Sequence, residues 1–339
     1  MDYSTTIAEI VEKATLKLSI QPKSENDVTI KKENSHDRNF SIMTRGGWSL
    51  VEGLTHVASA FDGKLMPLIE KHGPPSFYLS NPDEIDDACR HKKEDGVATG
   101  SIKRIVTPDD KDDDNGNNDG FISFRALCRI IVGQQLAGPA AKAMWSRLLL
   151  SMTTINQEYE QKFKTDIKVC LSPLSILAMS RKGEAMIESL RKSSGLSRSK
   201  MIAIVDLARH YDKGILSDKF LFGKCQDIKN HDDNIREQLM KVKGLGPWSC
   251  DMFLIFHCHR PDILALGDLG VRKGTGAFFG VRGKGKNNKL CEKKDGDLMR
   301  RLHEPFAPYR SISTYYMWKL IDNVSFNDDR SNIEFKKYR

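Results

Sequence analysis

The sequence predicts a mainly α-helical chain, on three observations. Apolar residues recur at three- and four-residue spacing over most of its length. Strict apolar–polar alternation, the mark of a half-buried strand, is scarce. Gly244-Leu245-Gly246-Pro247 separates two helical stripes with a turn too short for anything but a tight hairpin.

In chain order, residues 1–45 are polar and mixed in charge, with little periodicity after Ile20, and read as a disordered N-terminal tail. Residues 46–90 form an N-terminal helical segment. In it Leu54, Val57, Ala58 and Phe61 follow the i, i+3, i+4, i+7 pattern of an amphipathic helix, and Gly73-Pro74-Pro75 interrupts the chain. Residues 91–120 contain DDKDDDNGNNDG and read as an acidic flexible loop. From 121 to 325 the helical core follows. Phe124, Leu127, Cys128 and Ile131 make its first stripe, and Gly138-Pro139 opens the next helix, where proline costs least. Met201, Ile204, Val205 and Ala208 share a face, as do Ile235, Leu239 and Val242. Trp248, Met252, Ile255 and Phe256 form a stripe after the hairpin, and a last helix covers Ser311 to Ile321. Residues 326–339 are a C-terminal tail.

The 339 residues carry a net charge of 53 − 45 = +8, which suits a polyanionic partner. No window approaches a transmembrane span, so no membrane partner is expected. The N-terminus carries acids and lacks a continuous apolar run, so no secretory signal is expected. Seven scattered cysteines without a C-x-x-C pair argue against a disulfide framework, a zinc ribbon or an iron–sulfur cluster. His257-Cys258-His259 offers three metal-capable groups, but neighbours on a helix point in different directions.

Two features carry chemistry. At Lys243-Gly244-Leu245-Gly246-Pro247, the glycines admit positive φ and strip side chains from the turn. Backbone amides can then face outward at the start of the next helix, a phosphate-binding arrangement; an ordinary helix–helix turn is the plainer reading. The second is Asp268, an acid among apolar residues in LALGDLGV. It is either a helix N-cap or a carboxylate held at the mouth of a cleft, able to stabilise positive charge or activate water.

Together these segments resemble the helix-hairpin-helix DNA glycosylases, in the branch that removes alkylated bases such as 3-methyladenine. The hairpin KGLGPWSC and the GDLGVRK segment carry the resemblance. IIVGQQL at 130–136 with Ala140-Ala141, and FAPYRS at 306–311 with Trp318, add to it. It spans 118–322 well and 46–80 weakly. It implies two helical subdomains around a cleft and makes Asp268 the catalytic carboxylate. Trp248 stands where relatives with lyase activity place a Schiff-base lysine, which implies a monofunctional enzyme. Trp248, Gln135 and Phe124 are the expected substrate-binding residues, with Gln135 as the wedge entering the DNA gap. Lys243, Gly244, Leu245, Gly246, Arg272 and Lys273 are the expected DNA contacts. No cofactor is required, although family hairpins often hold K+ or Na+ through backbone carbonyls, here those of Met240, Val242 and Leu245.

The resemblance implies an enzyme of base excision repair acting on damaged double-stranded DNA; a monomer is expected, in the nucleus, with organellar targeting as the alternative. The enzyme would excise 3-methyladenine and 7-methylguanine. A non-catalytic DNA-binding module and an oxidised-base glycosylase of the same fold are the alternatives. There are departures. Gln-Gln is followed by Leu136-Ala137 instead of Ile-Ser, Met252 replaces an aromatic of some relatives, and 281–296 is longer and more basic than the usual connection. That stretch is either a solvated insertion or a contact to the DNA backbone.

Overall fold

The computed structural model describes residues 3–19, 43–79, 121–163, 171–223 and 227–322. The expected acidic loop at 91–120 and the tail at 326–339 lie outside them. Fourteen α-helices account for nearly all the regular structure of the described residues, with one isolated bridge between Met43 and Ser49.

The first helix, α1 (Ser4–Ser19), lies inside the stretch 1–45 that reads as a disordered tail, before the loss of periodicity at Ile20. Ile7 and Val11, one turn apart, are fully buried and pack α1 on α2 (Leu50–Ser59). Burying such a side chain contributes roughly 1.5–3 kcal/mol, an upper estimate. A four-residue repeat two turns long is a weak signal inside a polar stretch, and its partner lies past residue 43. Ser49 caps α2 by accepting the Glu52 amide at 3.3 Å. Leu54, Val57 and Ala58 are buried on α2 as expected, but Phe61 falls in a following turn at φ 52°. Helix α3 (Met66–His72) stops at Gly73, φ 67°.

Next come α4 (Ile122–Gly133), α5 (Gly138–Phe163), α6 (Pro173–Arg181), α7 (Glu184–Ser194), α8 (Arg198–Asp212), α9 (Asp218–Phe222), α10 (Ile228–Met240) and α11 (Pro247–Phe256). Their ends follow local chemistry. Ser172 and Ser175 cap α6 reciprocally, Gly195 closes α7 in the left-handed region at φ 74°, and Ser197 caps α8. Helix α4 takes its cap from afar, since Asp218 accepts the Ile122 and Ser123 amides at 3.0 and 2.9 Å. Helix α8 packs on α4 and α6, and α5 packs on α4 and α7.

The last helices among the described residues are α12 (Leu269–Phe279), α13 (Glu292–His303) and α14 (Arg310–Asp322). The protein divides into two units, one made of 1–82 with 254–339 and the other of 83–253. The sequence pattern placed a boundary at 121 and kept 46–90 apart. The structure instead joins the two ends of the chain in one core, where Leu50, Leu54, Leu68 and Ile69 meet Phe306, Ile312, Tyr316 and Leu320. Those residues are some 250 positions apart in sequence, which helical periodicity does not report.

His303 ties three helices of this unit together. Its ring nitrogens lie 2.9 Å from Thr275 Oγ1 on α12 and 3.0 Å from Ser313 Oγ on α14. Burial, with Arg310 nearby, lowers its pKa from 6.5 to about 3. An unfolded chain therefore binds a proton here that the folded chain refuses. The stabilising share of this histidine is full above pH 6.5 and is lost as the pH falls toward about 3. Calorimetry is expected to show the Tm falling between about pH 7 and 4, and falling less steeply in His303→Gln. Identical slopes would assign the acid sensitivity to other groups.

Candidate active site

Asp268, Arg272 and Lys273 belong to the first unit, and the other expected site residues to the second.

Asp268 stands at the N-cap of α12, where its Oδ1 accepts the Val271 amide at 2.9 Å. The same oxygen accepts the indole N–H of Trp318 at 2.8 Å. The cap is therefore present, and the same oxygen is also held by the indole. Trp318 is itself fixed, stacked on Phe256 at 5.6 Å and 13° between planes. Phe256 in turn meets Phe77 edge to face at 4.8 Å. Gly270 allows the close approach: a Cβ there would lie 2.8 Å from Trp318 Cδ1 and 3.1 Å from Asp268 Oδ1.

The loop before Asp268 is held along its length. Arg310 binds Asp262 in a fork, Nε to Oδ1 at 2.6 Å and Nη2 to Oδ2 at 2.7 Å. Ser311 Oγ donates to Arg260 O at 2.6 Å and accepts the Ile263 amide at 3.0 Å. Thr314 Oγ1 donates to Ile263 O at 3.1 Å. Arg310, Thr314 and Trp318 are four residues apart on one face of α14, so a single helix face grips 260–268. Arg272 is half-buried. It donates Nη1 to Gly267 O at 2.6 Å and Leu266 O at 3.2 Å, and so braces the same loop. Lys273 is half-buried on α12. His257-Cys258-His259 lie past the end of α11, and no metal-holding cluster exists among the described residues.

In the second unit the hairpin joins α10 to α11. Gly244 has φ 82°, and a Cβ there would sit 3.1 Å from the Cβ of Ala203 on α8. Val242 and Leu245 point inward, 1% and 7% exposed, so they offer only backbone to a partner. The amides of Gly244 and Gly246 find no acceptor among the described residues, whereas the Lys243 amide donates to Asp206 Oδ2 at 2.9 Å. The Lys243 side chain is exposed, and Trp248 is half-buried at the second position of α11.

Gln135 is exposed and left-handed, φ 58°, at the end of α4. A non-glycine residue tolerates that conformation where its neighbours fix it. Lys200 does so, donating Nζ to Val132 O at 2.8 Å and Gln134 O at 2.9 Å. Its partial burial lowers its pKa. Gln134 then reaches the hairpin, with Nε2 donating to Gly244 O at 2.8 Å and Ser249 Oγ at 3.0 Å. Lys200, Ala203 and Asp206 are three apart on α8, which thus supports both the Gln135 turn and the hairpin. Phe124 is a correction. It is 0% exposed and packs edge to face on Tyr211 at 5.3 Å, so it is core and not a substrate contact.

Sequence reasoning missed the positioning roles of Trp318, Arg310, Gln134 and Lys200. Only the four-residue spacing of Arg310, Thr314 and Trp318 hinted at a shared face.

No protein-family model matches the chain. A DNA-3-methyladenine glycosylase of Saccharomyces cerevisiae is 30% identical over 215 residues, 58% of this chain and 66% of that protein. DNA-3-methyladenine glycosylase 1 of Schizosaccharomyces pombe is 24% identical over 196 residues, 58% of this chain and 71% of that one. Putative DNA-3-methyladenine glycosylase YfjP of Bacillus subtilis is 29% identical over 91 residues, 27% and 29% of the two chains. The chain thus spans about two thirds of the budding-yeast relative and under a third of the bacterial one. Among solved structures, the S. pombe 3-methyladenine DNA glycosylase Mag1, in complex with abasic DNA, gives a TM-score of 0.48 at 17% identity over 80% of this chain and 98% of that one. A DNA-3-methyladenine glycosidase of Bacillus halodurans gives 0.44 at 22% identity, over 79% and 88%.

Proposed function

This chain belongs to the helix-hairpin-helix DNA glycosylases of the 3-methyladenine branch, and we propose on that premise that it is a monofunctional enzyme excising alkylated purines from duplex DNA. Its substrates are 3-methyladenine and 7-methylguanine, and it acts as a monomer in the nucleus. The observation that carries the reading is Asp268, whose Oδ1 is oriented by both the Trp318 indole and the Val271 amide.

The target base leaves the duplex first, at a cost of a few kcal/mol that is least for a damaged pair. Hairpin amides and the Lys243 ammonium hold phosphate, and Gln135 fills the gap left in the stack. The C1′–N bond then breaks, its electron pair leaving with the base. Asp268 stabilises the oxocarbenium-like sugar and orients the water whose oxygen bonds to C1′, the proton passing to solvent. No cofactor enters these steps. The hairpin carbonyls of Met240, Val242 and Leu245 are donors of the kind an alkali cation takes. Val242 O also accepts the Leu245 amide at 3.1 Å. K+ or Na+ there would stiffen the turn.

Ring nitrogens of 3-methyladenine and 7-methylguanine carry positive charge, so their bonds are weakened before the enzyme acts. An indole face attracts such a cation by roughly 0.5–2 kcal/mol, a factor of about 2–30 in rate. Trp248→Ala is therefore expected to slow release of charged bases more than that of hypoxanthine. Trp248 has no amine, so no strand nick and no borohydride-trapped adduct are expected with wild type. Released bases and nicks, scored separately on a methylated duplex, check this. A trapped adduct, or equal losses on charged and neutral bases, overturns it.

A further inference from the structure

The stretch between α12 and α13 is an ordered platform. Gly283 N donates to Asn288 O at 2.8 Å and Gly285 N to Lys289 O at 2.9 Å, folding 283–289 back on itself. A Cβ on Gly283 would lie 2.4 Å from the Leu290 α-carbon, and one on Gly285 2.6 Å from Lys289 O. Both neighbours are backbone atoms, which cannot swing away. Asp295, 3% exposed, fastens the platform to α13 by accepting the Lys284 amide at 2.9 Å and the Cys291 amide at 2.8 Å. Burial raises the pKa of its carboxyl. The two amides, with Lys284 and Lys294 nearby, more than offset this and hold it below the usual carboxylate range.

This packing explains the alternation in Arg282-Gly283-Lys284-Gly285-Lys286. The glycines face inward against 289–290, and Arg282, Lys284 and Lys286 are exposed. Lys289, Lys293 and Lys294 are exposed as well, and none of the six cations forms a salt bridge to a described residue. The platform also borders the Asp268 loop, since a Cβ on Gly267 would lie 3.4 Å from Glu292 Oε2. A merely solvated insertion needs neither two backbone-tight glycines nor a buried acid to hold its lysines out.

We infer that 282–294 is a built cationic array that binds the phosphate backbone of duplex DNA without reading bases. The inference rests on the glycosylase reading for the identity of its polyanion. Affinity of the full chain for an undamaged duplex, measured against salt, tests it. Each cation that meets a phosphate contributes about 0.9 to the slope of log affinity against log salt. Replacing Arg282, Lys284, Lys286 and Lys289 by Gln is expected to flatten that slope by up to about 3.6. Gly283→Ala with Gly285→Ala keeps every charge but displaces the platform, and is expected to flatten it partly. An unchanged slope in the first variant overturns the array. An unchanged slope in the second overturns the claim that the fold presents it. Wild type that binds duplex but releases no methylated base would sink the glycosylase reading and leave the array standing.

Discussion

Asp268→Asn is expected to keep duplex affinity and thermal stability while lowering single-turnover base release by roughly 10²–10³. The substitution is chosen because it separates the observed cap from the proposed catalytic role of Asp268. As an N-cap, asparagine is as good as aspartate. Its amide oxygen can accept the Val271 and Trp318 N–H groups that Oδ1 accepts now, at 2.9 and 2.8 Å. Geometry and helix start therefore survive, and only the negative charge is removed. If Asp268 were a cap and nothing more, the variant would excise near the wild-type rate, and that outcome overturns the assignment. A small loss of melting temperature would instead show that the charge itself stabilises α12 through its dipole. That contribution is about 0.3–1 kcal/mol for an exposed group.

What the sequence made legible was local. The hairpin, the cap at Asp268 and helix α14 each lie within about a dozen residues, where turn chemistry and helical spacing act directly. Helix α14 runs from Arg310 to Asp322, one residue beyond the expected Ser311–Ile321 at each end. The long-range partners were hidden. Trp318 and Asp268 are 50 residues apart, Arg310 and Asp262 are 48, and Lys200 and Val132 are 68. No periodicity within one helix names a partner in another. The bracing role of Arg272 was hidden for a related reason. The sequence shows a cation four residues after Asp268, and the carbonyls of Leu266 and Gly267 that its Nη1 meets come only with the fold. Phe124 misled because a position on an apolar stripe is first of all a core position.

Gly270→Ala is expected to leave DNA affinity intact and to lower excision by roughly 10²-fold, the cost of about 1 Å of misplacement at a reacting centre. The new methyl would lie 2.8 Å from Trp318 Cδ1, 3.3 Å from its Nε1 and 3.1 Å from Asp268 Oδ1. The indole cannot retreat easily, being stacked on Phe256, which Phe77 backs. The indole–carboxylate bond must therefore lengthen. Stability runs the other way. Alanine is favoured over glycine in a helix by about 0.8–1.0 kcal/mol, so the Tm is expected to change little. Trp318→Phe supplies the second arm, since it keeps an aromatic ring on Phe256 and removes the N–H and part of the clash. If the methyl acts through the indole, the double variant excises no more slowly than Trp318→Phe alone, because the two changes break one interaction. Losses that multiply would mean that the methyl acts elsewhere, and that the Trp318–Asp268 bond is not what holds the carboxylate in place.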